Sequence, residues 1–110
     1  MADTQTRTQS GLSLKEKKML SELARATIRA RALGETLPVI QAQTEALNRK
    51  TGAFVSLHRR GMLRGCIGYV EADAPLAQAV QEMARSAAFQ DPRFDPLVVE
   101  ELDGLEIEIS

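Results

Sequence analysis

Apolar positions along this chain recur with two different periods. Leu20, Leu23, Ala24, Ile28 and Arg31 fall on one face at helical spacing, with Glu22, Arg25 and Arg29 opposite, which predicts an amphipathic helix. Ser13-Leu14-Lys15-Glu16 ahead of it has the spacing of a capping box. Gly34 is a natural stop, because it adopts the left-handed conformation that ends helices. A second helical stripe joins Leu76, Val80, Met83, Ala84 and Ala87, with Gln78, Gln81, Glu82 and Arg85 on its wet side. Asp73-Ala74-Pro75 supplies its expected start, a capping carboxylate and a first-turn proline. Asp91-Pro92-Arg93-Phe94-Asp95-Pro96 ends it in a stiff loop, since each proline also restricts the residue before it. Pro38 punctuates the connector between the stripes, and residues 39–48 read as a short, weakly apolar helix.

Three other stretches follow the period of a strand. Ala53 to His58 is β-prone, Met62 to Tyr69 reads as a second strand, and Leu105, Ile107 and Ile109 alternate with Glu106, Glu108 and Ser110. Arg60-Gly61 makes a tight turn joining the first two into a hairpin. A two-residue loop pairs Arg59 with Met62 and sets Cys66 opposite Val55 and Arg64 opposite Leu57. A three-residue loop pairs Met62 with His58 and gathers Ser56, His58, Arg64 and Cys66 on one face. The shorter loop is the commoner and is the one expected here. The pattern stops in mid-alternation at Ser110, so the sequence reads as a domain lacking its C-terminal part.

Composition narrows the class. The 110 residues are 44% hydrophobic and 26% charged, values of an ordinary single globular domain. Residues 1–11 are polar, without the apolar core of a secretory signal, and read as a disordered tail ahead of a domain over 12–110. No run approaches a membrane span, and a lone cysteine fits a reducing cytoplasm. Aromatic content of 4% leaves few platforms for stacking bases, so nucleic acid is not an expected partner. The net charge of -1 hides +7 over residues 1–70 and -8 over residues 71–110. The halves either intermix their charges on folding or leave a basic face near Arg49, Lys50, Arg59 and Arg60 for a phosphate or acidic partner.

Chemistry concentrates in Leu63-Arg64-Gly65-Cys66-Ile67-Gly68. Glycines weaken a strand and mark places where another group must approach the backbone. Two of them around the only cysteine make Cys66 a candidate nucleophile, with Arg64 on the same face to stabilise a thiolate. The competing reading is a small buried hydrophobe, the commonest state of a free cysteine. The favoured register offers no general base. Asp91 and Arg93 either line a pocket, with Arg93 holding a carboxylate or phosphate, or Arg93 pairs with Asp91 or Asp95 to brace the loop. One His and one Cys fall short of a zinc site, and no nucleotide-binding glycine motif or G-x-S-x-G occurs, so neither metal nor cofactor is expected.

The hexapeptide matches the LRGCIG signature of the AMMECR domain family, also called AmmeMemoRadiSam system protein A. Phe54-Val55-Ser56-Leu57 resembles the family's FVTL strand, residues 87–94 its A-A-x-x-DPRF segment, and Glu101-Leu102 through Ser110 its EL…IEIS strand. The resemblance implies an α/β (α+β) fold, an antiparallel sheet packed against helices in a larger and a smaller lobe. It implies no settled reaction, and association with a Memo-like and a radical-SAM protein. Two functions are therefore carried forward. One is an enzyme with Cys66 as nucleophile on a small anionic substrate held by Arg64, Gly65, Gly68, Asp91 and Arg93. The other is a non-catalytic module that docks a partner through the signature strand and the DPRF loop.

Overall fold

The computed structural model of the chain describes residues 13–39, 45–50, 52–69 and 74–110. The expected tail over 1–11 and the capping carboxylate Asp73 lie outside the described residues. Helix α1 spans Leu14–Leu33, α2 is the single turn Glu45–Asn48, and α3 spans Leu76–Phe89. Strands β1 (Ala53–Arg59), β2 (Met62–Tyr69) and β3 (Leu105–Ile109) form one antiparallel sheet in the order β2-β1-β3, and a 3-10 turn at Val99–Leu102 precedes β3. This is the α+β arrangement that the family resemblance implies, an antiparallel sheet packed against helices.

Local chemistry sets the helix ends. Ser13 and Glu16 complete the capping box in both directions, at 3.1 and 3.0 Å, satisfying two amides that the first turn of α1 cannot. Gly34 closes the other end in the left-handed region, φ 74°. Pro75 stands at the N-cap of α3, one position ahead of the expected first turn, with no side-chain capping bond.

The helices lie on one face of the sheet. Leu20, Ala24 and Ile28 of α1 and Leu76, Val80, Met83 and Ala87 of α3 are buried against Val55, Leu57, Leu105 and Ile109. Leu23, expected at the centre of the α1 stripe, is only partly buried, and Thr27 occupies core space instead. The Thr27 hydroxyl donates to the Leu23 carbonyl at 2.8 Å and lies 3.2 Å from the Gln81 amide of α3. Two polar groups thereby satisfy each other inside an apolar contact. Leu23→Ala should then cost only about 1 kcal/mol, against about 2–5 kcal/mol for a fully buried leucine. Urea denaturation measures the difference, and a loss in the higher range would return Leu23 to the core.

The hairpin corrects the expected register. Arg60 and Gly61 both adopt positive φ, 56° and 76°, so the loop has the two residues expected and the twist that suits a hairpin. Arg59 pairs with Met62 and His58 with Leu63, but Leu57 pairs with Gly65 and Ser56 with Cys66. Arg64 is the extra residue, the bulge of this ladder. From Gly65 onward every pairing is therefore shifted by one from the expectation. Cys66 faces Ser56, not Val55, and lies on the sheet face turned away from the helices.

Candidate functional site

Strand β2 is an edge strand among the described residues, and the DPRF loop runs beside it. The turn that carries the loop is built from its own residues. Phe94 N–H donates to the Asp91 carbonyl at 3.1 Å, and Pro92 takes the position of a turn where proline's fixed φ fits. Asp91 Oδ1 accepts the Arg93 amide at 3.0 Å, the side-chain-to-backbone closure that aspartate offers two residues on. Leu97 N–H returns to the Ala88 carbonyl at 2.9 Å, so the loop leaves and re-enters α3 at almost the same place.

Asp91 also joins the loop to the strand. Its Oδ2 accepts the Cys66 amide at 3.2 Å, a donor that the edge of β2 would otherwise leave open. The Arg93 guanidinium grips both carboxylate oxygens, at 3.0 and 2.8 Å. Four donors thus converge on one buried carboxylate. The Arg93 side chain first, then its amide, hold Asp91 well below the usual carboxylate range.

The bulge decides where Arg64 goes. Freed from strand alternation, its side chain makes two bonds to Glu101, at 2.7 and 3.0 Å, and a third to the Asp95 carbonyl at 2.7 Å. Arg64 therefore clamps the bulge to the 3-10 turn, and the expected position beside Cys66 is not the one it takes. The hydrogen bond from Arg64, ahead of the Val98 amide, lowers the Glu101 carboxyl to about 2. One guanidinium nitrogen of Arg64, Nη1, is buried without a partner among the described residues. Both Arg64 and Arg93 lie over the Phe94 ring at 5.6 Å from its centre, so one phenyl group backs two cations.

Cys66 is half-buried, with the Ser56 hydroxyl 3.7 Å from its sulfur. Its backbone amide and the Arg93 guanidinium share the Asp91 carboxylate. The glycines are filled from opposite faces. A Cβ on Gly65 would run into the Ala87 carbonyl at the end of α3, and one on Gly68 into the Phe54 ring. Neither leaves the open room beside the strand that the motif alone suggests. Arg59, a member of the basic face that was one of the two charge readings, donates to the Asp103 and Glu100 carbonyls at 3.1 and 3.5 Å.

Arg64, Cys66, Asp91 and Arg93 thus come together along one edge, while Gly65 and Gly68 serve the packing behind and in front of it. Sequence reasoning placed Ser56 on the face of the thiol only in the register it set aside, and missed Glu101 as the partner of Arg64. The bulge, not a longer loop, brings Ser56 opposite Cys66. Glu101 lies 37 positions from Arg64, and no local spacing links them. No group of three or more His, Cys, Asp or Glu side chains gathers as a metal site among the described residues. Nor is any helix there long and apolar enough to cross a membrane.

The family model described as AMMECR1 matches residues 21–110. A protein of Methanothermobacter thermautotrophicus is 41% identical over 100 residues, covering 90% of this chain and 52% of its own length. Protein MJ0810 of Methanocaldococcus jannaschii is 42% identical over 101 residues, covering 90% of this chain and 50% of its own. Among solved structures, the uncharacterized protein PH0010 from Pyrococcus horikoshii superposes with a TM-score of 0.74 at 35% identity, over 86% of this chain and 49% of that one. The chain therefore spans about half the length of the relatives it matches.

Proposed function

The chain belongs to the AMMECR1 family, and we propose that this domain is a non-catalytic interaction module that docks a partner protein through β2 and the DPRF loop. The observation that carries this reading is the commitment of the charged groups. Asp91 receives four donors and Arg64 makes three bonds, all within the domain. Such a network rigidifies the edge and commits the Asp91 and Glu101 carboxylates to structural bonds, so neither is free to act as a base for Cys66. Ahead of the bulge, Met62 is 72% and Leu63 40% exposed, apolar anchors on a stiff rim. Rigid, partly apolar surfaces bind with little ordering cost. The partners this reading takes are the Memo-like and radical-SAM proteins that the family resemblance implies.

A thiol-based reading keeps one observation of its own, the half-buried Cys66 sulfur beside the Ser56 hydroxyl. In that reading Cys66 is a nucleophile on a small anionic substrate. One experiment separates the two. Calorimetry against the Memo-like and radical-SAM proteins is run on the untreated chain, on chain alkylated at Cys66 by iodoacetamide, and on Leu63→Asp. We expect Leu63→Asp to weaken binding at least about tenfold, worth about 1.4 kcal/mol, and alkylation to leave it unchanged. Binding that survives Leu63→Asp but is lost on alkylation would overturn the docking reading in favour of the thiol.

A further inference from the structure

On the helix side of the DPRF loop, away from Cys66, the last turns of α1 and α3 enclose a cleft of about 350 Å³. That volume lies within the range of small-molecule sites, roughly 300–1,000 Å³. Arg31 and Arg85 line it, together with Phe89, Gln90, Pro96 and Leu97, and no carboxylate does. Glu82 stands one helical turn from Arg85, yet neither guanidinium makes an ion pair or a side-chain hydrogen bond among the described residues. Arg31 has a local reason for its place, since a cation in the last turn of a helix complements the dipole. Arg85 has no such reason, because the last turn of α3 carries no basic residue.

The rest of the lining has a definite chemistry. Leu97 is buried and Phe89 half-buried, so the floor and one wall are apolar. The Ser86 hydroxyl lies 3.3 Å from Gln90 Oε1, which leaves the Gln90 amide hydrogens as donors. Two guanidiniums match a doubly charged anion, and their planar forks suit phosphate oxygens in pairs. A phosphate monoester carries about -1.5 to -2 charge at neutral pH, whereas a carboxylate carries a single charge. An apolar wall adds affinity only for a ligand with an apolar body.

We propose that this cleft binds a small phosphate monoester with a flat apolar body, the phosphate between Arg31 and Arg85 and the body against Phe89 and Pro96. This goes beyond the docking reading and does not depend on it. Gln90 and Pro96 flank the loop that carries Asp91, so an occupied cleft touches both ends of the segment tied to the Cys66 amide.

The test is a titration of the chain with phenyl phosphate, followed by amide shifts in nitrogen-edited NMR spectra. We expect saturable shifts at Arg31, Arg85, Phe89 and Gln90, with Arg31→Gln and Arg85→Gln each weakening binding at least about tenfold. Inorganic phosphate should bind at least about tenfold more weakly than phenyl phosphate, for want of the apolar body. Both arginines are exposed, so their replacement leaves the fold intact, and Leu63→Asp should leave the titration unchanged. Shifts mapping elsewhere, equal binding of inorganic phosphate, or undiminished binding in both arginine variants would overturn the proposal.

Discussion

Gly65→Ala should destabilise the domain by about 3 kcal/mol or more, whereas Gly68→Ala should cost less than about 1 kcal/mol. The two glycines look equivalent in the sequence, and their surroundings are not. The added methyl at Gly65 would meet the Ala87 carbonyl, a backbone atom in the last turn of α3. That backbone cannot retreat freely. The next residue, Ala88, accepts the Leu97 amide, and the loop in between is tied to β2 through Asp91. Relief would require shifting the helix end, the loop and the strand edge together. At Gly68 the obstacle is the Phe54 ring, which is 49% exposed and free to turn into water. A move to another staggered rotamer avoids the off-rotamer strain of about 0.5–1.5 kcal/mol that a fixed ring would carry. Urea denaturation of the two variants checks the contrast, and equal losses would mean that α3 does not approach the strand so closely.

The same contrast shows what the sequence could disclose. Both helical stripes, the capping box, the Gly34 stop and the strand alternation rest on periods of about 3.6 and 2, which side-chain chemistry prints directly into the chain. The Arg60-Gly61 turn was legible for the same reason, since few dipeptides suit two positive φ angles. The bulge was not. Nothing in Leu63-Arg64-Gly65 distinguishes a continuous strand from one carrying an extra residue, because the bulge is fixed by contacts far along the chain. It is held by Glu101, by the Asp95 carbonyl and by the packing of Gly65 on Ala87. One residue of slippage moved Cys66 from facing Val55 to facing Ser56, and with it the chemistry of the edge. The bracing of Arg93 by Asp91, in contrast, was one of two readings available from their spacing.

Breaking the clamp at Glu101 should produce the second large effect, and its pH dependence identifies the cause. Arg64 keeps only 12% of its side chain in water and Glu101 25%. Glu101→Gln removes the charge that two of the guanidinium bonds are made to, beside an Nη1 that already lacks a partner. A fully buried pair that loses one member costs about 3–5 kcal/mol; the partial exposure of Glu101 reduces this to about 2 kcal/mol at pH 7. The carboxyl of Glu101 titrates at about 2 in the fold, against its ordinary 4.5. Its folded value lies below its unfolded one, so the stabilisation is fully present above pH 4.5 and is lost as pH falls toward 2. The stability gap between the natural chain and Glu101→Gln should therefore be widest at neutral pH and close on acidification. Asp91, held lower still by Arg93, remains in both proteins and adds a common acid limb that begins near pH 3.8 and extends below that window. Denaturant midpoints at pH 7, 4 and 2 measure the gap. A gap that stays constant down to pH 2 would show that Glu101 acts through packing, and that charge does not hold the bulge in place.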